Sequence, residues 1–431
     1  MAAMTESKTA GAPEPDSERT HAVQPVDIDE VPPPAKEGPT AWIQVLGAFV
    51  LNLNTWGLMN SYGAFQTFYQ LDMLSDCSSS KIAWIGSTQA FFLFLISLFS
   101  GPLFDAGFLR ILLWTGSLLL VVGTFLTSIT SVYWQVFLTQ ALMCGLGFGC
   151  LYLPAPAVVS QHFDRSTALA MGASSTGSAI GGIIYPIVFN QLQPQVGFGW
   201  ATRVLGFILL ATSAIPVFLM KANAPPRPAR SLIDPSAFKD VPFLVFSLGL
   251  FFGLMGFYII LNYIELLALA RTNTTPNLAS YLLVIINAAS LLGRLIPGYY
   301  ADRIGSITMQ TMVVLASVVL TFSLLAIRTA AALVVFSSLY GFMTGAFMGL
   351  PAAGIVSLSS DKSMIGTRLG MALSFIGIGL LVSNPIAGAI LGEGQNWVGL
   401  IVWCGVLLAA SSVCLIVSRA LKVGLGVAKT V

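Results

Sequence analysis

Charge is what this chain has least of. Only 9% of its 431 residues are Asp, Glu, Lys or Arg, while 56% are apolar. A soluble globular protein carries about 25% charged residues, and a chain with so few cannot cover its surface with solvated groups. The charge present is nearly balanced, Lys+Arg 20 against Asp+Glu 18. No basic face is therefore available for nucleic acid. Histidine is scarce as well: His21 and His162 are the only two, too few for a metal cluster. The five cysteines, Cys77, Cys144, Cys150, Cys404 and Cys414, form no C-x-x-C pair. Four lie in apolar stretches, where a thiol packs as a small hydrophobe. No G-x-x-x-x-G-K-S/T run occurs, so ATP could drive this chain only through a partner subunit. No His/Asp/Cys constellation falls within the apolar stretches, which argues against an enzyme and calls for no cofactor or metal.

What the chain has instead is long apolar runs. Twelve follow one another from Ala41, at 42–69, 81–104, 110–130, 132–158, 167–190, 199–220, 241–268, 278–300, 305–327, 331–357, 367–391 and 397–418. Each is long enough for a helix to cross about 30 Å of hydrocarbon at about 1.5 Å per residue. Helices are required, because a lipid-exposed strand edge leaves backbone groups unpaired. The expected fold is therefore an all-α membrane protein of twelve transmembrane helices. Residues 1–40 are different, holding eight acids, seven prolines and few large apolar groups. Such a stretch cannot offset its own ordering entropy and reads as a disordered cytosolic tail.

Lysine and arginine placement sets the orientation. With both termini in the cytosol, fifteen of the twenty cations fall on the inner side and four on the outer, leaving Arg294 inside a span. The longest internal connection, 221–240, is rich in proline and charge and divides the chain into a six-helix half at 41–220 and another at 241–420, with a short tail at 421–431. An internal duplication supports that division. GPLFD (101–105) and GYYAD (298–302) share Gly and Asp at an offset of 197, as LPAPAVVS (153–160) and LPAAGIVS (350–357) share Leu, Pro, Ala, Val and Ser; Gly145/Gly341 and Gly149/Gly345 match at 196. Parallel halves of this kind are a transporter architecture, with the cargo site between them near the midplane.

This organisation, with G-x-x-x-D after the second and eighth segments, resembles the major facilitator superfamily. The closer resemblance is to its monocarboxylate-porter-like branch of fungal type. It is carried by TWGLMNSYGAFQTFY (55–69), GPLFDAGFLR (101–110), HFDRSTALAMGASSTGSAIGG (162–182), NAASLLGRLIPGYYADRIG (287–305) and GTRLGMALSFIGIGLLVSNPIAGAIL (366–391). The resemblance implies the two-half facilitator fold and alternating access. It also implies that Asp105 and Asp302 latch the cytoplasmic side, with Arg110 and Arg303 as cationic partners.

Arg294 is the most informative residue. A charge well inside an apolar span is costly unless it meets a wet cavity or a partner, the alternative being an arginine that snorkels to the interface. Asn287, Ser290 and Arg294 stand at i, i+3, i+7 on one helical face. In monocarboxylate-type porters an arginine at the equivalent place binds the substrate carboxylate, and a guanidinium fork suits that task. This chain departs from the animal lactate carriers at Ser290, where they place an acid, and at Asn60, in the region of their lysine. A larger and less charged organic molecule fits at least as well as lactate. Tyr258, Asn262 and Glu265 share a face of the seventh segment, and Glu265 is a candidate for proton coupling or a wetted residue at the outer mouth. Its depth differs from that of Arg294 by about 20 Å at about 1.5 Å per residue. Thr55, Met59, Tyr62, Gln66 and Tyr69 make a stripe on the first segment that suits a cavity wall or helix packing.

The reading is a secondary transporter for a small organic acid or related metabolite, working in the plasma membrane by alternating access and expected to act as a monomer. Proton coupling stays open. The alternative keeps the fold and changes the task to efflux of an amphiphilic secondary metabolite made by a biosynthetic gene cluster. A sensor that no longer transports is disfavoured by the short linker and tail.

Overall fold

The computed structural model describes residues 38–163, 166–223, 231–359 and 364–423, apart from the side chains of Ala168 and Asp302. The tail expected over 1–40 lies almost wholly outside the described residues, as do Arg227, Arg230 and all but the start of the 421–431 tail.

Ten helices among the described residues are long and apolar enough to cross a membrane. One of them, Thr167–Leu219, is parted where Gly197 takes a φ of 78°, a left-handed value that favours glycine. Residues 39–73 add a pass built of shorter pieces, Pro39–Asn52, Leu58–Asn60 and Tyr62–Phe68 joined through π-helical turns at Leu53–Gly57 and Tyr69–Met73. Twelve passes result. They are numbered α1 (39–73), α2 (Ser79–Asp105), α3 (Leu109–Thr127), α4 (Tyr133–His162), α5 (167–196), α6 (198–219), α7 (Val241–Arg271), α8 (Pro276–Ile304), α9 (Ser306–Ser323), α10 (Ala330–Leu358), α11 (Ile365–Leu391) and α12 (Trp397–Val423). No strand occurs among the described residues.

Local chemistry sets several of the boundaries. Thr275 accepts from the Leu278 amide with Pro276 at the first helical position of α8, Thr329 accepts from Ala332 before α10, and Ser78 accepts from Lys81 before α2. Each removes an orphan donor of a helix start. Hydrophobicity alone would not hold the helices together in lipid. Small residues do so by letting backbones approach. A side-chain carbon added at Gly341 would collide with the Ile286 backbone, and one at Gly345 with the Ser290 backbone, where α10 crosses α8. In the first half, Gly145 meets Gln89 and Gly149 meets Phe92 and Ile96, where α4 crosses α2.

The duplication read in the sequence thus reappears as a repeated crossing. It reappears again in two broken helices. α4 interrupts its helical hydrogen bonding at Leu153 before Pro154, and α10 does so at Leu350 before Pro351. Gly107 and Gly305, after the two G-x-x-x-D runs, both take a φ of 91°. The first run therefore reaches the same turn although its glycine follows the acid one residue sooner.

α1, α3, α5, α7, α9 and α11 start at one end of the bundle, here named the linker end because a short 3-10 turn, Pro235–Lys239, lies before α7 there. The opposite end is the far end. At the far end the halves touch: Ser80 Oγ donates to the Pro385 carbonyl at 2.8 Å and Gln191 Nε2 donates to Tyr281 Oη at 3.2 Å. Gly63 lies against the Leu261 carbonyl and Asn262.

Candidate functional site

A cavity of about 230 Å³ lies between the halves on the linker side of that closure. Asn52 and Trp56 reach it from α1, Phe94 from α2, Tyr152 and Pro156 from α4, Ser175 and Ser178 from α5, Arg294 from α8, and Phe347 from α10. Leu369, Leu373 and Ile376 supply the α11 wall at i, i+4, i+7. Arg294 is the one charged side chain among the described residues that line it. It stands ten residues before the end of α8 at Ile304, about 15 Å deep at about 1.5 Å per residue. That depth is held from the other half of the molecule: Nη1 donates to the Ser175 carbonyl at 3.0 Å and to Ser178 Oγ. Nε has no protein partner, so the guanidinium keeps donor capacity in hand.

Aromatic rings line the same cavity. Trp56 meets Phe94 at 5.6 Å and Tyr152 at 5.4 Å between ring centroids, both edge to face. Edge-to-face rings fix one another's orientation. The cavity thus offers one cation, a few hydroxyl and amide groups, and apolar rings, with no carboxylate among its described lining residues. It can hold an organic anion with an apolar body. A larger crevice of about 580 Å³ between α2, α7, α11 and the linker turn is lined by apolar side chains and two serines, Ser247 and Ser374. Its described lining residues include no charged group with which to select a polar cargo.

The other residues grouped with Arg294 in the sequence do not line this cavity. Asn287 donates to the Leu283 carbonyl at 2.9 Å and fills the space beside Gly182, so it sits in the α5–α8 contact. Tyr62 donates to the Ile82 carbonyl at 2.9 Å with its ring over Gly86, which makes it packing between α1 and α2. Tyr258 donates to Asn60 Oδ1 at 3.1 Å and ties α7 to α1 across the halves. Asn262 is buried at the α1–α7 contact beside Gly63. Gln66 is buried with both amide atoms unpartnered, and Glu265 is 8% exposed with Oε2 unpartnered. Asn262, Gln66 and Glu265 belong to the closed far side, whereas Tyr258 lies within electrostatic reach of Arg294 and Tyr152. The cavity face of α1 is Asn52 and Trp56, not the stripe from Thr55 to Tyr69. The π-helical turn at Leu53–Gly57 rotates the face, which an even helical period does not anticipate.

The expected latch is only partly placed. Asp105 ends α2 and is half-buried and engaged, and Arg110 is exposed at the start of α3. The Asp302 side chain lies outside the described residues. Arg303 stacks over the Tyr299 ring at 4.9 Å and donates to its hydroxyl on the same helix. An ion cluster that the sequence reading missed sits nearby. Arg368, at the start of α11, pairs with Asp234 at 2.9 Å and Asp240 at 2.7 Å from the linker. Hydrogen bonds from Ser236 and then from Arg368 hold the Asp234 carboxyl below the usual carboxylate range. The signal was present in the two acids bracketing the five residues Pro235–Lys239, but their partner is about 130 residues away in sequence.

A sequence model of the Major Facilitator Superfamily matches residues 40–367. The chain belongs to that superfamily. It is 43% identical over 408 residues to the MFS-type transporter dbaD of Emericella nidulans, covering 94% of this chain and 92% of that one. It is 36% identical over 372 residues to the aspyridones efflux protein apdF of the same organism, covering 86% of this chain and 76% of that one. Among solved structures, a POT family transporter in complex with 5-aminolevulinic acid superposes with a TM-score of 0.70 at 12% identity, over 92% of this chain and 99% of that one. That last likeness speaks for the fold alone. The chain is accordingly an integral, multi-pass membrane transporter of small molecules, not an enzyme.

Proposed function

We propose that this transporter exports an amphiphilic organic acid with an aromatic or conjugated body. The observation that carries the reading is Arg294, the lone cation of the described cavity lining, in one cavity with Trp56, Phe94 and Tyr152. A carboxylate or acidic enol takes the guanidinium through charge-assisted hydrogen bonds, and a planar body lies on the rings. Efflux is favoured over uptake of a small monocarboxylate by two features. The cavity wall is mostly apolar and aromatic. Asn60, in the region where lactate carriers hold a lysine, is occupied by Tyr258. The aspyridones efflux protein is a relative at 36% identity, in keeping with that direction. The branch proposed is the monocarboxylate-porter-like one, on the segments at 55–69, 162–182 and 287–305.

The linker end is taken as cytosolic from the distribution of Lys and Arg, which makes this conformation inward-facing. The plasma membrane, the 41–220 and 241–420 halves, and a monomer complete the reading. Binding tests it. An aromatic carboxylic acid added to the purified protein should raise its melting temperature, while its methyl ester should not. Equal stabilisation by acid and ester would remove the anion from the recognition.

A further inference from the structure

An amide deep in an apolar span needs a reason, as a cation does. Asn52 and Asn54 of α1 meet that need differently. Asn54 Nδ2 donates to Ser213 Oγ at 3.1 Å, and its Oδ1 accepts from Tyr185 Oη and Thr212 Oγ1, both at 2.9 Å. Both ends of that amide are engaged, so Asn54 ties α1 to α5 and α6. Asn52 is engaged at one end. Its Nδ2 donates to the Ala48 carbonyl at 3.1 Å and to the Ser174 carbonyl at 3.2 Å. Turning the amide over would set its oxygen against two carbonyl oxygens, so Oδ1 is the end left over. No donor among the described residues reaches that oxygen. Asn52 is only 9% exposed, and it lines the cavity that holds Arg294.

One turn of α5 sets both side chains. Asn52 holds the Ser174 carbonyl from α1, and Arg294 holds the next carbonyl, that of Ser175, from α8. Successive residues of a helix are about 1.5 Å apart along its axis. Measured along their own helices from the linker end, the two are also similarly deep. Asn52 stands thirteen residues after Pro39, about 20 Å at about 1.5 Å per residue, against about 15 Å for Arg294. The α4 break adds a second acceptor. Tyr152 and Pro156 both line the cavity, four residues apart. Proline has no N–H, so the Tyr152 carbonyl lacks its usual helical donor. Tyr152 itself lies within electrostatic reach of Arg294. The lining therefore presents acceptors as well as a cation. An acid with no donor of its own would desolvate those acceptors without pairing them, which is unfavourable.

We propose that Asn52 Oδ1 accepts a hydrogen bond from the cargo, and that the cargo is an aromatic acid whose body carries a hydroxyl group. The proposal rests on the reading of Arg294 as the anion site and adds a second point of recognition to it. Arg294 takes the acid and Asn52 takes the hydroxyl proton, so two polar points orient one planar body. A methyl ether keeps the ring and the oxygen but has no proton to give, and a site built around a hydroxyl discriminates against an analogue that lacks it.

Titration of the purified protein with matched acids tests it. The probes are meta- and para-hydroxycinnamic acid, their methoxy counterparts, unsubstituted cinnamic acid, and the methyl ester of each. In the wild type at least one hydroxy acid should bind about fivefold or more tightly than both its methoxy counterpart and cinnamic acid. In Asn52→Ala and in Asn52→Leu that preference should shrink to within about twofold, while the preference for acid over ester, which belongs to Arg294, is kept. Wild-type protein that binds hydroxy, methoxy and unsubstituted acids equally overturns the proposal, a comparison that needs no variant to fold. So does a hydroxyl preference that survives in both Asn52 variants. The esters separate this proposal from the one it rests on. A wild type that prefers the hydroxyl but binds acid and ester alike contradicts the anion site and supports Asn52 as the reader of the hydroxyl.

Discussion

A single guanidinium is the charged group among the described residues that line the cavity. Arg294 is fixed by Ser175 and Ser178 of the opposite half, and its Nε remains unpartnered. Removing it takes away the charge-assisted contacts to an anionic cargo, a loss of about 2 kcal/mol or more. Arg294→Ala should therefore weaken binding of an aromatic acid by roughly thirtyfold or more, read by ligand titration. Arg294→Lys should recover part of it, since a point charge replaces the fork. Trp56 acts on the other end of the cargo. Trp56→Ala loses edge-to-face support for Phe94 and Tyr152, and should raise KM for a bulky aromatic acid by about fivefold, from about 1 kcal/mol of ring contact. A small aliphatic acid should be affected much less. Arg294 could be singled out from sequence because a cation in an apolar span needs a reason. Trp56 and Tyr152 could not, because an aromatic in a membrane helix ordinarily needs none.

Helix crossings and the linker carry the next set of constraints. Gly345 of α10 lies on the Ser290 backbone of α8, where an added methyl group cannot be relieved by a side-chain rotation. Gly345→Ala should lower stability by about 1–3 kcal/mol from overpacking. Gly172→Ala, whose nearest neighbour would be the Leu295 side chain at 3.9 Å, should leave the melting temperature nearly unchanged. The linker is tied to α11 by Arg368, Asp234 and Asp240, with Arg368 and Asp234 side chains 8% and 6% exposed. Arg368→Ala leaves two acids without their cation and should cost about 3 kcal/mol, seen as faster amide exchange over 231–240. The Asp234 carboxyl is depressed by Ser236 and Arg368. Its contribution is therefore complete above the ordinary carboxylate range and is lost as pH falls through the lower folded value. Amide protection over 231–240, taken relative to the intrinsic exchange rate at each pH, should be high at neutral pH and fall below about pH 4. Helix positions were legible from apolar run length, and the repeated crossings of α4 on α2 and α10 on α8 from matched glycines such as Gly145/Gly341. The rotated face of α1 was not, because π-helical turns leave no mark on hydrophobic periodicity. Nor was the Arg368 cluster, which depends on contacts across a long sequence separation.

At the scale of the whole molecule, twelve passes surround a cavity whose described lining carries one charged side chain, Arg294. The cavity lies on the linker side, and the far side is closed through Ser80–Pro385, Gln191–Tyr281 and the Gly63 contact. An exporter must reverse that closure while Arg294 keeps hold of the anion. Transport should then run from the linker side outward, and charge recognition should govern flux as it governs binding. The most direct measurement is uptake of an aromatic carboxylic acid into proteoliposomes carrying the transporter inside out. Wild-type protein should give saturable uptake, Arg294→Lys should keep it at a higher KM, and Arg294→Ala should abolish it, while the methyl ester gives no saturable uptake in any of the three. Saturable uptake of the acid that survives unchanged in Arg294→Ala would contradict the account.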